Sequence, residues 1–171
     1  VSGTNVTIGK NYLAGQNTGK TTLTFGFSAG QDQTLTVTVA DSSGQTGSLD
    51  VQSYNANRSA SVQSIAPWFR ITNRGDVAVD LSQVKLRYYY TEDGAQSQNF
   101  YCYWSSVGGS NVTGSFVPLA AAKANADTYL EVGFTTAAGS LAAGQSVEVQ
   151  TQFAKSDWSS YDQSNDYSFD P

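Results

Sequence analysis

Hydrophobic and polar residues alternate with period two along much of the chain. Leu35, Val37 and Val39 interleave with Thr34, Thr36 and Thr38, the pattern of a strand with one buried face. The same pattern recurs around Phe69 and Ile71, Val77 and Val79, Val84 to Tyr90, Leu130 to Phe134, and Val147 and Val149. Turn-forming residues separate these runs: NRGD at 73–76, Asp93 with Gly94, Gly108 with Gly109, and Ala142-Ala143-Gly144. The stretch LAAAKANA at 119–126 lacks an apolar face and reads as a loop. Many short strands joined by regular turns predict an all-β antiparallel sandwich.

The texture changes near residue 48. Residues 1–48 are rich in Gly, Thr and Ser, lack Trp and carry little charge. Fewer than about 50 residues rarely fold alone without disulfides or metal. They therefore read as a β-rich extension, with strand-like runs at 21–27 and 34–39, or as the remnant of a neighbouring module. Residues 49–171 form the main domain, a size that can bury a core.

Charge narrows the partners. The net charge is −5, the isoelectric point is near 4.4, and the nine Lys and Arg are scattered singly. That argues against nucleic acid and anionic membranes, both of which call for basic clusters. No apolar run approaches the roughly 20 residues that span a bilayer, and the opening VSGTNVT does not read as a signal peptide. There is no His, which removes Ser-His-Asp and Cys-His catalysis and the usual zinc sites. Cys102 is the only cysteine and reads as a small buried hydrophobe within the strand-like run 99–104.

The run FAKSDWSSYDQSNDYSF at 153–169 stands apart. It sets one Trp, two Tyr, three Asp and an Asn in a polar, turn-rich segment. Rings in such a setting suit a flat, partly apolar partner, and the carboxylates suit a metal ion. Carbohydrate meets both demands, since pyranose rings expose C–H faces to aromatic side chains.

From about Val51 onward the chain resembles a family 3 carbohydrate-binding module, the cellulose-binding type of bacterial cellulases and cellulosomal scaffolds. The resemblance rests on VQSYNAN, FRITNRGDVAVDLSQVKLRYYYTEDG, NFYCYW, NVTGSF, ADTYLEVGF and GQSVEVQTQFAKSDWSSYDQSNDYSF, in family order. It implies a jelly-roll of about nine strands, a bound calcium, an extracellular setting and a monomer that adsorbs to cellulose while attached to a glycoside hydrolase or scaffold. Family members usually continue past NDYSF into a further strand. Without it a sheet edge stands open and hydrophobic positions are uncovered. Part of residues 1–48 fills that place, as in a circular permutation, or else serves as linker.

The resemblance also carries site positions. Trp158 matches the aromatic anchor of the family's binding strip, and Trp104 lies where an aromatic or His often stands. Tyr103 occupies the usual Asp position and Gln152 that of a frequent Arg, so the family's ion pair is missing. Asn57, Gln63 and Gln150 match polar anchoring positions, expected on the opposite side of the module. Strand aromatics usually belong to cores, so Tyr103 and Trp104 also have a packing reading. For calcium, Thr91 and Asp93 match one half of the family site, and Asp162, Asn165 and Asp166 the other. Calcium takes six to eight oxygen ligands, and three converging carboxylates repel one another without a cation. Ordinary Asx turns are the plain alternative.

Alternation places Arg87 and Tyr89 on one face and Tyr88 and Tyr90 on the other. In the family this region is a shallow groove; a tyrosine-lined outer face is the simpler reading. Three functions follow. The leading one is a non-catalytic module that binds crystalline cellulose. The second is an accessory module of the same fold that packs beside a hydrolase and does not itself bind cellulose. The third, a small glycosidase using Glu131 and Glu148, has little support because both sit at ordinary outward-facing strand positions.

Overall fold

The computed structural model describes residues 19–26, 30–39 and 48–171. The chain divides into two compact units, Val1–Gln45 and Thr46–Pro171. In the first unit, β1 (Gly19–Phe25) and β2 (Gln33–Val39) pair antiparallel, with Gly19 opposite Val39 and Phe25 opposite Gln33. The Thr-alternating run thus forms a strand, but Leu35 is 50% exposed, and the half-buried expectation does not hold for it. A two-stranded hairpin supplies no second layer of its own. The rest of the segment expected to fill a sandwich edge lies outside the described residues.

The second unit runs through β3 (Leu49–Asn55), β4 (Ser61–Val62), β5 (Ser64–Ile65), β6 (Pro67–Asn73), β7 (Val79–Asp80) and β8 (Lys85–Tyr90). It continues with β9 (Gln98–Ser105), β10 (Val112–Lys123), β11 (Ala126–Phe134), β12 (Ser140–Leu141), β13 (Ser146–Lys155) and β14 (Tyr161–Asp162). One sheet has the order β3-β6-β13, with β9 on the far side of β13 and β5 paired to its C-terminal end. The other has the order β10-β11-β8. β7–β12 and β4–β14 are two-residue ladders, every pairing is antiparallel, and no α-helix occurs among the described residues.

The core lies between the two sheets. Phe69, Ile71, Val147, Val149 and Phe153 meet Leu86, Tyr88, Tyr90, Leu130 and Val132, all nearly or wholly buried. Alternation is therefore obeyed on β6, β8, β11 and β13. At the edge strand β3, Val51 sits opposite buried Ile71 yet is 48% exposed, so an inward apolar position is uncovered there. The LAAAKANA stretch departs from its loop reading. Leu119–Ala122 extends β10, and the hairpin turns at Asn125, whose φ is 67°. Pairing slips between Pro118 and Lys123, and a bulge of this kind lets a strand persist without an apolar face.

Gly114 on β10 lets the Phe100 ring of β9 pack directly over the backbone, because a Cβ at Gly114 would overlap that ring. Gly114→Ala is expected to destabilise the unit by about 1–3 kcal/mol through overpacking. Thermal melting checks this, and an unchanged Tm would show that the ring moves aside freely.

Candidate functional site

The outer face of the β3-β6-β13-β9 sheet is built by strand parity. Val147, Val149, Thr151 and Phe153 of β13 point inward, leaving Glu148, Gln150 and Gln152 outward. On β9, Phe100 and Cys102 pack toward the core, while Tyr101 opposite Gln152 is 38% exposed. Cys102 packs against the core but is only partly buried, short of the burial expected, and its thiol donates to the Trp104 carbonyl at 3.5 Å. Burial pushes the thiol pKa up, and that hydrogen bond opposes the shift.

A β-bulge then breaks the alternation. Cys102 lies opposite Thr151 and Trp104 opposite Gln150, so Tyr103 is the extra residue on β9. Bulges re-aim side chains, and here Tyr103 and Trp104 are both exposed, at 63% and 47%, before Ser105 turns inward. The packing reading of these two residues fails.

β13 carries the chain roughly 17 Å from Gln150 to Lys155, and Trp158 follows in the next loop. Trp158 has a φ of 58° and is 48% exposed. Its backbone is pinned on both sides: its N–H donates to the Lys155 carbonyl at 3.0 Å, and its carbonyl accepts from Gln63 Nε2 at 3.1 Å. Asp157 braces the same turn by accepting from Ser159 N and Oγ, which hold its carboxyl below the usual range.

Two of the three anchoring positions are misplaced by the sequence reading. Gln150 shares a face with Trp104 as its ladder partner, and Gln63 touches the Trp158 loop; neither lies on the opposite side. Asn57 sits in the loop after β3, where its carbonyl accepts from buried Gln163. Sequence reasoning also missed Tyr101, as well as Tyr54 and Trp68 on the neighbouring strands. The signal was present, since each shares strand parity with polar rather than core residues.

The expected metal residues come together from two distant segments. The loop after β8 supplies Thr91 and Asp93, the end of β14 supplies Asp162, and the turn after it supplies Asn165 and Asp166. Asp166 Oδ1 accepts from Thr91 N at 2.7 Å and from Thr91 Oγ1 at 2.8 Å, and Asn165 Oδ1 competes for the same hydroxyl at 2.8 Å. One hydroxyl proton cannot satisfy both acceptors. Asp93 Oδ2 accepts from Asp162 N at 2.7 Å, while Asp162 Oδ1 caps the turn at Ser164 N. Thus Asp162 is an Asx-turn residue here. Among the described residues no three acidic, His or Cys side chains are gathered closely enough to hold a metal. The expected convergence of three carboxylates is replaced by a mixed set of oxygens.

Asp166 provides the test of fit. It is only 6% exposed, and its Oδ2 is buried without a partner. Burial above all pushes its carboxyl up to about 6; the Thr91 hydrogen bonds oppose this, and Asp93 and Asp162 add to it. An orphaned carboxylate oxygen beside neutral oxygens from Thr91 and Asn165 fits a hard cation. Buried Lys155 joins this loop to the next, with Nζ donating to the Asp93 carbonyl at 2.7 Å and to the Ser160 carbonyl at 3.0 Å.

The glutamates offer no hydrolytic pair. Glu131 accepts from Arg87 at 3.2 Å and meets Lys85 at 3.6 Å on the outer face of the β10-β11-β8 sheet. Glu148 meets Arg70 at 3.5 Å on the outer face of the other sheet. On β8, Tyr88 and Tyr90 are buried, while Arg87 lies 4.7 Å over the Tyr129 ring and Tyr89 packs against Tyr129 and Tyr167.

Comparison with known proteins agrees with this architecture. The family model for the cellulose binding domain matches residues 50–171, and that for carbohydrate binding domain X2 matches residues 1–37. Exoglucanase-2 of Thermoclostridium stercorarium is 51% identical over 100% of this chain and 20% of its own length. A xyloglucanase of Paenibacillus sp is 48% identical over 99% of this chain and 17% of its own length. The chain thus spans about a fifth of these curated relatives. The CBM3b module of the major scaffoldin subunit ScaA from Acetivibrio cellulolyticus is 53% identical, covering 71% of this chain and 80% of that one, with a TM-score of 0.71. The sandwich is accordingly a jelly-roll of that type, and the chain belongs to the family 3 carbohydrate-binding modules, as a non-catalytic cellulose-binding module.

Proposed function

We propose that the module adsorbs to crystalline cellulose through Trp104 and Trp158, with Tyr103, Gln150 and Gln152 beside them and Asn57 and Gln63 supporting the rim. The observation that carries this reading is the bulge that sets Tyr103 and Trp104 on the outer polar face. Exposed rings lie on the flat C–H faces of glucose units, and neighbouring amides hydrogen-bond the hydroxyls between them. The exposure of Trp104 and Trp158 speaks against an accessory module that has lost its strip. With the family's Asp-to-Arg pair replaced by Tyr103 and Gln152, recognition is uncharged. Adsorption to microcrystalline cellulose is therefore expected to change little between low and high salt. A depletion isotherm checks it: protein left in the supernatant, or adsorption that salt abolishes, would sink the reading.

The module acts as a secreted monomer that holds an attached glycoside hydrolase or scaffold on its substrate, without nucleic-acid or membrane partners. The cellulases and scaffoldins among its relatives support this setting. Residues 1–37 belong to a second module of the X2 type rather than to permuted strands, a reading supported by their separate family match. Calcium is held by Thr91, Asp93, Asp162, Asn165 and Asp166. It supplies positive charge that ties the loop after β8 to the turn after β14, a structural role.

A further inference from the structure

The outer face carries a row of side chains that starts at Trp104 and Gln150 of the cellulose strip and runs beyond it to Trp68 and Tyr54. Along the ladders, Tyr54 on β3 lies opposite Trp68 on β6, Trp68 opposite Gln150 on β13, and Gln150 opposite Trp104 on β9. Directly paired residues share a face, so these four cross the sheet at right angles to its strands. Three strand spacings make the row about 14 Å long. Tyr54 is 54% exposed, and its ring meets Trp68 at 5.8 Å and 57°, so the two rings do not share one plane.

The next row over carries Gln52, Arg70 and Glu148, also in register. Between the rows lies a shallow pocket of about 230 Å³ lined by Gln52, Tyr54, Trp68, Arg70, Glu148 and Gln150. Arg70 and Glu148 neutralise one another at 3.5 Å, so the pocket presents hydrogen-bonding groups without net charge. Two amides, a balanced ion pair and two rings suit a neutral, hydroxyl-rich ligand with apolar faces.

We propose that this groove is a second glycan subsite, which takes a single β-glucan chain laid across the strands. Its occupant is set by continuity, because Trp68 and Gln150 extend in register to Trp104 on the cellulose-binding face. The proposal rests on the reading of that face. Two rings inclined at 57° cannot both lie flat on a crystal plane, but they can contact two sides of one chain. Trp104 stands where the strip and the groove cross, whereas Trp68 and Tyr54 belong to the groove alone.

The experiment uses the chain as it stands, with Trp68→Ala, Tyr54→Ala and Trp158→Ala alongside it. Cellohexaose titration is read by calorimetry, and depletion on microcrystalline cellulose is read in parallel. Trp68→Ala is expected to weaken cellohexaose binding by about tenfold or more, and Tyr54→Ala by several-fold, with crystalline adsorption nearly retained. Trp158→Ala is expected to do the reverse. Tyr54, on an edge strand, keeps the test valid if Trp68→Ala misfolds on thermal melting. Cellohexaose binding that both groove variants retain in full would overturn the subsite. So would a parent chain that adsorbs to cellulose but ignores cellohexaose, or groove variants that lose both ligands equally. A parent chain that binds neither ligand overturns the cellulose reading itself.

Discussion

Trp158→Ala is expected to weaken adsorption to microcrystalline cellulose by about 30- to 150-fold. An aromatic side chain buries about 150–250 Å², and a ring laid flat on a sugar covers roughly half of that. At about 25 cal/mol per Å² the loss is about 2–3 kcal/mol, which is the stated range of affinity at about 1.4 kcal/mol per tenfold. Trp104→Ala should cost a similar amount, because it is equally exposed. Neither indole supports the core, so both variants should melt close to the parent protein. Depletion isotherms on the three proteins give the comparison. Equal adsorption by all three would remove both residues from the site, whereas a loss accompanied by a large fall in Tm would move Trp158 to a structural role.

Calcium removal should act on stability. A ligand held at 100 to 1,000 times its Kd stabilises by about 3–4 kcal/mol, so chelation at neutral pH should lower Tm by on the order of 10 °C. The pH dependence has a definite sign. The Asp166 carboxyl is raised to about 6 in the folded protein, against about 3.9 in an unfolded chain. A raised carboxylate penalises the fold as it ionises, so metal-free protein should lose stability from this group as pH rises from about 4 through 6. Calcium should oppose that loss, and its effect on Tm should grow over the same interval. Melting curves with calcium and with chelator at pH 5 and pH 7.5 test both statements. Identical curves at pH 7.5 would leave the orphaned Asp166 oxygen without a cation.

The two sites differ in how far the sequence made them legible. The candidate metal residues are legible because polar Asp and Asn in turns stand out against apolar strands and match a family pattern. Their grouping by the β8 and β14 loops followed, but the capping role of Asp162 did not, since it depends on the local path of the turn. The binding face was harder. Parity alone places Trp104 with Phe100 and Cys102, toward the core, and the bulge at Tyr103 reverses that placement. No residue type announces the bulge. Gln150 and Gln63 were set on the wrong side because face membership across strands depends on register, which a single chain does not display.

Alternation, turn chemistry and the absence of His were enough to determine an all-β sandwich without histidine-based catalysis, because each reflects a local rule read within a few residues. The family resemblance added cellulose as the partner. What the tertiary structure alone decided is which rings face solvent and which stand together. Ladder register aligns Tyr54, Trp68, Gln150 and Trp104 from four strands, far apart in sequence. Side-chain direction on a sheet inverts with a one-residue slip, so that alignment exists only once the strands have paired.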